Sequence, residues 1–320
     1  MINGIVGGSY PITAFIGILF AFACTCIMIS GLNDRLPKDI GREFAHNGKL
    51  SAGKPRGAGI IFIIVFTIAV LLFAEVSIEM MIYLALVFVE MLTGFMDDAS
   101  DEPWGEYKKG ILDFLVASAV ALNFIYFNST RIELATLGIH VNIHPAAFFI
   151  LTVILVWTSI NVTNCTDGVD GLSGTLTIIT LVTIYVINQV KGVSSDFSFV
   201  ILLFVVCILG YLWYNATPSK LMMGDAGSRA MGIFISIAIL KTGSPFLYLL
   251  VALVMILDGG LGLLKVALLR FLKIHILKNT TTPLHDHVRK KLGWSNTQAV
   301  FRFVIIQIVI SIAVVYLMII

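Results

Sequence analysis

Residues 161–171 read NVTNCTDGVDG, and two further acidic segments, GFMDDAS at 94–100 and MMGDAGS at 222–228, adjoin apolar runs in the same way. An acidic side chain at the margin of hydrocarbon is costly to desolvate and is rarely left there without a partner. Asp97 and Asp98 are adjacent, so on a continuous helix they point about 100° apart. One can bind a cation or orient a substrate while the other accepts a proton. Asp225 sits between Gly224 and Gly227; small residues let a backbone approach phosphate oxygens, and a carboxylate is a hard ligand suited to Mg²⁺. Mg²⁺ takes one or two carboxylates plus substrate phosphates, so an acid-rich face with few ligands suits a phosphate-bound ion better than a closed cage. Taken singly, a helix cap explains the aspartate pair and a turn explains the glycines. Convergence of three such clusters on one membrane face favours a shared site for a divalent cation and a phosphorylated substrate.

Asn161, Asn164, Asp167 and Asp170 fall three apart and would share one face of a helical stretch. Together they can read a sugar or a base by hydrogen bonds, or support a bound cation from behind its ligands. The segment is no calcium loop, because the glutamate required at its twelfth position is absent. His285-Asp286-His287 precedes Arg289, Lys290, Lys291 and Gly293-Trp294. Histidines two apart on a helix cannot chelate one zinc, and no cysteine set accompanies them. Phosphate contact or proton transfer suits His285 and His287 better. The lysines beside them read as an inner-leaflet anchor, worth about 1 kcal/mol each near anionic lipid. Of Lys108 and Lys109, one can neutralise a diphosphate as charge shifts in the transition state, and the other can anchor a helix end. The sequence leaves open which.

The elements that must position these residues are membrane helices. The chain has 320 residues, 58% hydrophobic and 12% charged, with mean hydropathy +0.97. No soluble domain of this size hides so much apolar surface, so an all-α integral-membrane fold is expected. About ten stretches can span, near 11–31, 58–75, 78–96, 110–127, 145–163, 171–190, 198–214, 229–241, 246–272 and 300–320. Residues 1–320 read as a single polytopic domain, with no repeat. Of the 21 lysines and arginines, all but Arg131, Lys191 and Lys241 fall on the side reached after odd-numbered spans. That side is cytoplasmic by the positive-inside rule, and both termini lie outside. Every acidic cluster lies on it. The first span has no basic residue ahead of it and no small-residue cleavage site behind it, so it reads as an uncleaved helix. On the outer face, 130–143 alternates around Leu137-Gly138 as a short β-hairpin would. The ninth span is expected to bend or break at Asp258-Gly259-Gly260, because tandem glycines weaken a helix. A structural role is preferred for Asp258. The cysteines lie in spans or on the cytoplasmic side, so no disulfides are expected.

GFMDDAS, NVTNCTDGVDGL, MMGDAGS and PLHDHVRKKLGWSNTQAVFRF occur in the order and spacing of the polyprenyl-phosphate N-acetylhexosamine-1-phosphate transferases. The last motif most resembles the phospho-N-acetylmuramoyl-pentapeptide transferase branch, and the resemblance extends over nearly the whole chain. It implies a Mg²⁺-dependent reaction at the cytoplasmic face of a bacterial plasma membrane. Phospho-N-acetylmuramoyl-pentapeptide would pass from UDP-MurNAc-pentapeptide to undecaprenyl phosphate, giving lipid I and UMP. It also implies a homodimer among membrane lipid, with no nucleic acid among its partners. Asp225 would be the principal Mg²⁺ ligand, with Asp97 and Asp98 essential and Asp97 the base or lipid-phosphate contact. Asn164, Asp167 and Asp170 would line the nucleotide pocket with Asn215 opposite, and His285 would be the first histidine of the family's histidine motif. Asn161, Lys108 and His287 join the substrate-binding candidates, and Lys109 the catalytic ones.

Three departures stand out. The family's three histidines read His285-Asp286-His287 here. Met222 replaces the aromatic expected to stack on uracil, and methionine packs on a ring less specifically. The usual GTPTMGG stretch is GKPRGAG at 53–59, and the lysine just ahead of it is replaced by Ser51, so Lys49 or Lys54 is expected to substitute. Two alternatives compete. One is a relative that transfers GlcNAc-1-phosphate or another HexNAc-1-phosphate from its UDP-sugar. The other, more distant, is a transporter, which would place its ionisable residues near the bilayer midplane at a repeat interface.

Overall fold

In hydrocarbon every backbone polar group must be satisfied within its own segment, which makes the apolar runs helices. The structure, a computed structural model, describes residues 10–41, 51–135, 137–193 and 195–319. In chain order its elements are α1 (Tyr10–Leu32), α2 (Gly59–Phe73), α3 (Ile78–Asp98), α4 (Glu106–Phe127), β1 (Arg131–Leu134) and β2 (Ile139–Asn142). There follow α5 (Pro145–Thr166), α6 (Leu172–Lys191), α7 (Ser195–Asn215), α8 (Gly224–Lys241), α9 (Pro245–Val251), α10 (Leu253–Leu272), α11 (Leu284–Leu292) and α12 (Asn296–Ile319). Among the described residues, seven helices (α1, α3 to α7 and α12) are long and apolar enough to cross a membrane, and the bent pair α9–α10 makes up to eight. The expected ten spans include α2 and α8 as well. With 15 residues, α2 rises only about 22 Å, short of a hydrocarbon core of about 30 Å.

The centre of the bundle is α8, buried from Gly224 to Leu240 and packed by α2, α3, α5 and α6. A helix surrounded by protein can carry polar residues that lipid would exclude, which is why Ser228 and Arg229 are tolerated there. Its N-terminal turn is pressed into glycines of two neighbours. A Cβ on Gly59 would come 2.0 Å from the Gly227 nitrogen, and one on Gly94 would come 2.5 Å from the Asp225 backbone. Those contacts fix where the α8 N-terminus stands.

The ninth span bends by 70°, but at Ala252 rather than at the tandem glycines. The reason is a partner for the freed backbone groups. Fully buried Gln307 of α12 accepts the Val254 N–H at 3.0 Å and donates to the Leu250 carbonyl at 3.3 Å, while the Thr180 hydroxyl donates to the Val251 carbonyl at 2.9 Å. Asp258, Gly259 and Gly260 instead lie in a π-helical turn over Ile256–Gly260. There Gly259 allows close approach to α5, since a Cβ would stand 2.6 Å from the Val162 carbonyl oxygen.

At the opposite end from the acidic clusters the expected hairpin is present, with Arg131 opposite Asn142 and Leu134 opposite Ile139. Lys191 pairs with Glu133 at 2.8 Å, and Lys241 pairs with Glu79 at 2.9 Å. Two of the three cations that break the charge asymmetry are thus neutralised locally.

Candidate active site

The last turn of α3, the first turns of α4 and α8, and the end of α5 meet at one end of the bundle. Asp98 accepts the backbone N–H groups of Asp225 and Ala226 at 3.1 and 3.0 Å, and so closes the α8 N-terminus from a neighbouring helix. Unpaired amides at a helix N-terminus carry partial positive charge, which suits a carboxylate there. Gly224, at φ +68°, leaves room for it: a Cβ would lie 2.1 Å from Asp98 Oδ2. Asp98 therefore positions Asp225.

Asp225 lies 2.9 Å from Lys109 Nζ and 3.5 Å from an Arg56 Nη. Lys109 also reaches Asp97 at 2.5 Å, and Asp97 accepts the Trp104 N–H at 2.6 Å. The sequence could not choose between the two lysines, and the structure separates them. Lys109 bridges two carboxylates, whereas Lys108 lies over the Trp104 ring, 3.2 Å from its centroid. Adjacent Asp97 and Asp98 divide as their angular separation predicts, one toward Lys109 and the other toward Arg56 and α8.

A second polar tier lies one to two turns deeper on the same helix faces. Glu90 precedes Asp97 on α3, Asp113 follows Lys109 on α4, and Arg229 follows Asp225 on α8. Arg229 is buried, pairs with Glu90 at 2.8 Å and also pairs with Asp113. Asn161 donates to Asp113 at 3.0 Å, and Asn164 donates to Ser228 at 2.9 Å, so the two asparagines serve different tiers. Sequence reasoning missed Glu90 and Asp113 and counted Arg229 as a loop cation. The available signal was their position within apolar runs, where an ionisable residue always has a partner or a task.

The expected common face of Asn161, Asn164, Asp167 and Asp170 holds only for the first two, because α5 ends at Thr166 and Gly171 takes φ +83°. Asp170 accepts the Ser219 N–H at 3.3 Å. Buried Asn215 accepts the Gly171 N–H and donates to the Leu221 carbonyl, both at 2.8 Å, which ties the two loops together. Lys54 donates to Ser219 at 3.0 Å, on the same loop. Half-buried Met222 is bound through its backbone to Pro55 and Ala58. Asp167 caps the end of α5 with its side chain half-buried. Lys49 lies outside the described residues.

His285 stands at the other side of the end of α5. Its backbone N–H and its Nδ1 contact the two oxygens of Asp258 at 2.7 and 2.8 Å. If Nδ1 carries the proton and donates it, Nε2 is left as an acceptor. Nε2 faces the α5 terminus, where a Cβ on Gly168 would come within 2.2 Å of it. Asp258, for which a structural role is expected, thus holds a histidine through both of its oxygens. His287 accepts the Thr281 N–H at 3.2 Å. Asp286, at the middle position of the histidine motif, binds Arg289 at 2.5 Å and Lys290 at 3.0 Å. Burial raises the Asp286 carboxyl, but Lys290, His285 and Arg289 outweigh it and hold the group below its ordinary range. Arg289 is buried and donates to the Gly168 carbonyl at 3.4 Å, so it braces α11 rather than facing lipid headgroups.

A model of Glycosyl transferase family 4 matches residues 80–243, a stretch that includes Glu90, Asp97, Asp98, Lys109, Asp113, Asp225 and Arg229. The phospho-N-acetylmuramoyl-pentapeptide-transferase of Treponema pallidum (strain Nichols) is 39% identical over 317 residues, covering 93% of this chain and 87% of the relative. Shorter matches reach the transferases of the same name from Borrelia hermsii, 39% identical over 103 residues (32% of this chain, 28% of the relative), and Bartonella quintana, 34% over 125 (38% and 34%). With its four motifs gathered at one end of a helical bundle and this identity along nearly its full length, the chain belongs to the phospho-N-acetylmuramoyl-pentapeptide-transferase family.

Proposed function

We propose that this chain transfers phospho-N-acetylmuramoyl-pentapeptide from UDP-MurNAc-pentapeptide to undecaprenyl phosphate, forming lipid I and UMP for peptidoglycan synthesis. The observation that carries this reading is the 39% identity to a transferase of that name over 93% of the chain. The meeting of the acidic motifs around Asp225 supports it. A phosphate oxygen of the lipid attacks the sugar-bearing phosphorus of the donor. The bond from that phosphorus to the bridging oxygen breaks, and UMP leaves with the electron pair. Asp97 holds the lipid phosphate or takes its proton. Lys109, between Asp97 and Asp225, offsets negative charge as the diphosphate cleaves. His285, oriented by Asp258, presents Nε2 for proton transfer or phosphate contact.

The residues present fit Mg²⁺. Among the described residues, Asp39, Asp97, Asp98 and Asp225 are linked by two cations, Arg56 and Lys109, which leaves that group a formal charge of about −2. Among the described residues no three His, Cys, Asp or Glu side chains are grouped to hold a metal by themselves. An ion held there would be completed by substrate phosphates. Asp225 would hold it, and the chemistry a bound Mg²⁺ supplies is neutralisation of diphosphate charge. We further read ten passes, with α2 and α8 included, both termini outside, and the site on the cytoplasmic face of a bacterial plasma membrane. A homodimer is expected.

UMP release by the purified protein, measured with UDP-MurNAc-pentapeptide and with UDP-GlcNAc, tests the reading. Turnover of the first with undecaprenyl phosphate, lost on adding EDTA and restored by Mg²⁺, is expected. Turnover of UDP-GlcNAc alone would reassign the donor.

A further inference from the structure

Among the carboxylates of the site stands a cation that no motif assigned. Arg56 lies in GKPRGAG, outside any helix. The backbone around it is clamped to the segment that leads into α8 and Asp225: Met222 N–H donates to the Pro55 carbonyl at 2.8 Å, and Ala58 and Gly59 N–H donate to Met222 and Met223 carbonyls at 3.0 Å. The guanidinium is therefore fixed relative to Asp225. Its Nε is 2.8 Å from Asp98 Oδ1, but the N–H is not aligned for a hydrogen bond, so the pair is electrostatic. Its terminal nitrogens lie 3.5 Å from Asp225 and 3.7 Å from Asp39. Charge-assisted hydrogen bonds between such groups close to about 2.7–2.9 Å. Arg56 is thus held among three carboxylates with its fork of terminal donors gripping none of them tightly. Burial disfavours its charge, but Asp98, Asp225, Asp39 and Asp97 outweigh that and raise its pKa above the usual arginine value.

The two other basic or polar positions of this stretch are spent elsewhere. Lys54 donates to Ser219, and the Ser51 hydroxyl donates to Asp39 at 2.5 Å. Of the pair expected to replace the missing lysine, Lys54 is engaged by Ser219, while it is Arg56 that pairs with Asp39, Asp98 and Asp225. The side chain is 17% exposed, so it borders the open side of the site.

Resting on the function proposed above, we infer that Arg56 is a substrate-contacting residue of the transfer: its terminal nitrogens bind the diphosphate of the nucleotide-sugar donor, while Asp98 holds it in place. A planar guanidinium matches two phosphate oxygens at once, which a lysine ammonium cannot do.

The test uses the full-length protein in detergent micelles, with calorimetric binding of UDP-MurNAc-pentapeptide and of uridine beside the UMP-release assay. Arg56→Gln should weaken donor binding about tenfold or more, the effect of losing one charge-assisted contact, and leave uridine binding unchanged. Equal loss for both ligands, or no loss for either, would overturn the assignment. Should Arg56→Gln fail to fold, Arg56→Lys makes the same comparison. A raised donor KM with intact uridine affinity is expected, and an unchanged donor KM would overturn the proposal. Failure of the unsubstituted protein to release UMP strikes at the proposed reaction, not at Arg56.

Discussion

Asp225 and Asp97 share Lys109 yet have different expected tasks, and substitution separates them. Asp225→Asn keeps the shape of the side chain but removes a charged oxygen ligand. Turnover should fall by at least about a hundredfold at saturating Mg²⁺, with the thermal midpoint little changed. Near-normal activity would remove Asp225 from the metal site. Asp97→Asn should lower kcat far more than it weakens donor binding, because contact with the attacking phosphate is expressed in the transition state. Calorimetry with the donor beside the UMP-release assay distinguishes the cases. Lost donor affinity with an unchanged saturated rate would move Asp97 into the donor pocket. Asp98 stands apart from both, since its two oxygens already receive the α8 amides.

At the scale of elements, the site depends on the position of α8, and the deeper tier holds that helix in place. Arg229 joins α8 to Glu90 of α3 and Asp113 of α4, and Asn161 brings in α5. Removing one member strands buried charge. Arg229→Met should therefore lower stability by about 3–5 kcal/mol, read from unfolding in detergent, and should reduce turnover by displacing Asp225. Replacing Arg229, Glu90 and Asp113 together by apolar residues of similar volume should restore most of the stability, because no unpaired charge remains. A triple variant no more stable than Arg229→Met would show that packing, not charge, holds the helix. The bend between α9 and α10 follows a similar logic: it falls where Gln307 and Thr180 can satisfy broken backbone hydrogen bonds.

For the whole molecule, the ends of the bundle differ in chemistry. One gathers Asp97, Asp98, Lys109, Asn164 and Asp225. The other holds the hairpin and the Lys191–Glu133 and Lys241–Glu79 pairs. Single cysteines introduced at Lys291 and Gly138 should label from opposite sides of sealed vesicles, with Lys291 reached from the cytoplasmic side. Labelling of both from one side would undo the topology and with it the single shared site.

Composition and the one-sided basic residues determined a helical membrane protein with its polar clusters on one face, because hydrocarbon admits few alternatives. The four ordered motifs pointed to the family, which the identity along nearly the full chain bears out. The hairpin was legible from alternation and a glycine turn. Local sequence could not carry what depends on contacts between distant segments. The choice of Lys109 over Lys108 is made by where α4 meets α3 and α8. Asp98 becomes a helix cap only because Gly224 leaves room for it. The bend settles at Ala252 rather than at the glycines because a glutamine more than fifty residues away supplies the lost hydrogen bonds. Arg56 looked like a loop cation until the clamp to Met222 and Met223 placed it among three carboxylates. Sequence decided which groups were available, and tertiary packing decided which of them face one another, because burial cost is settled by partners and not by neighbours in the chain.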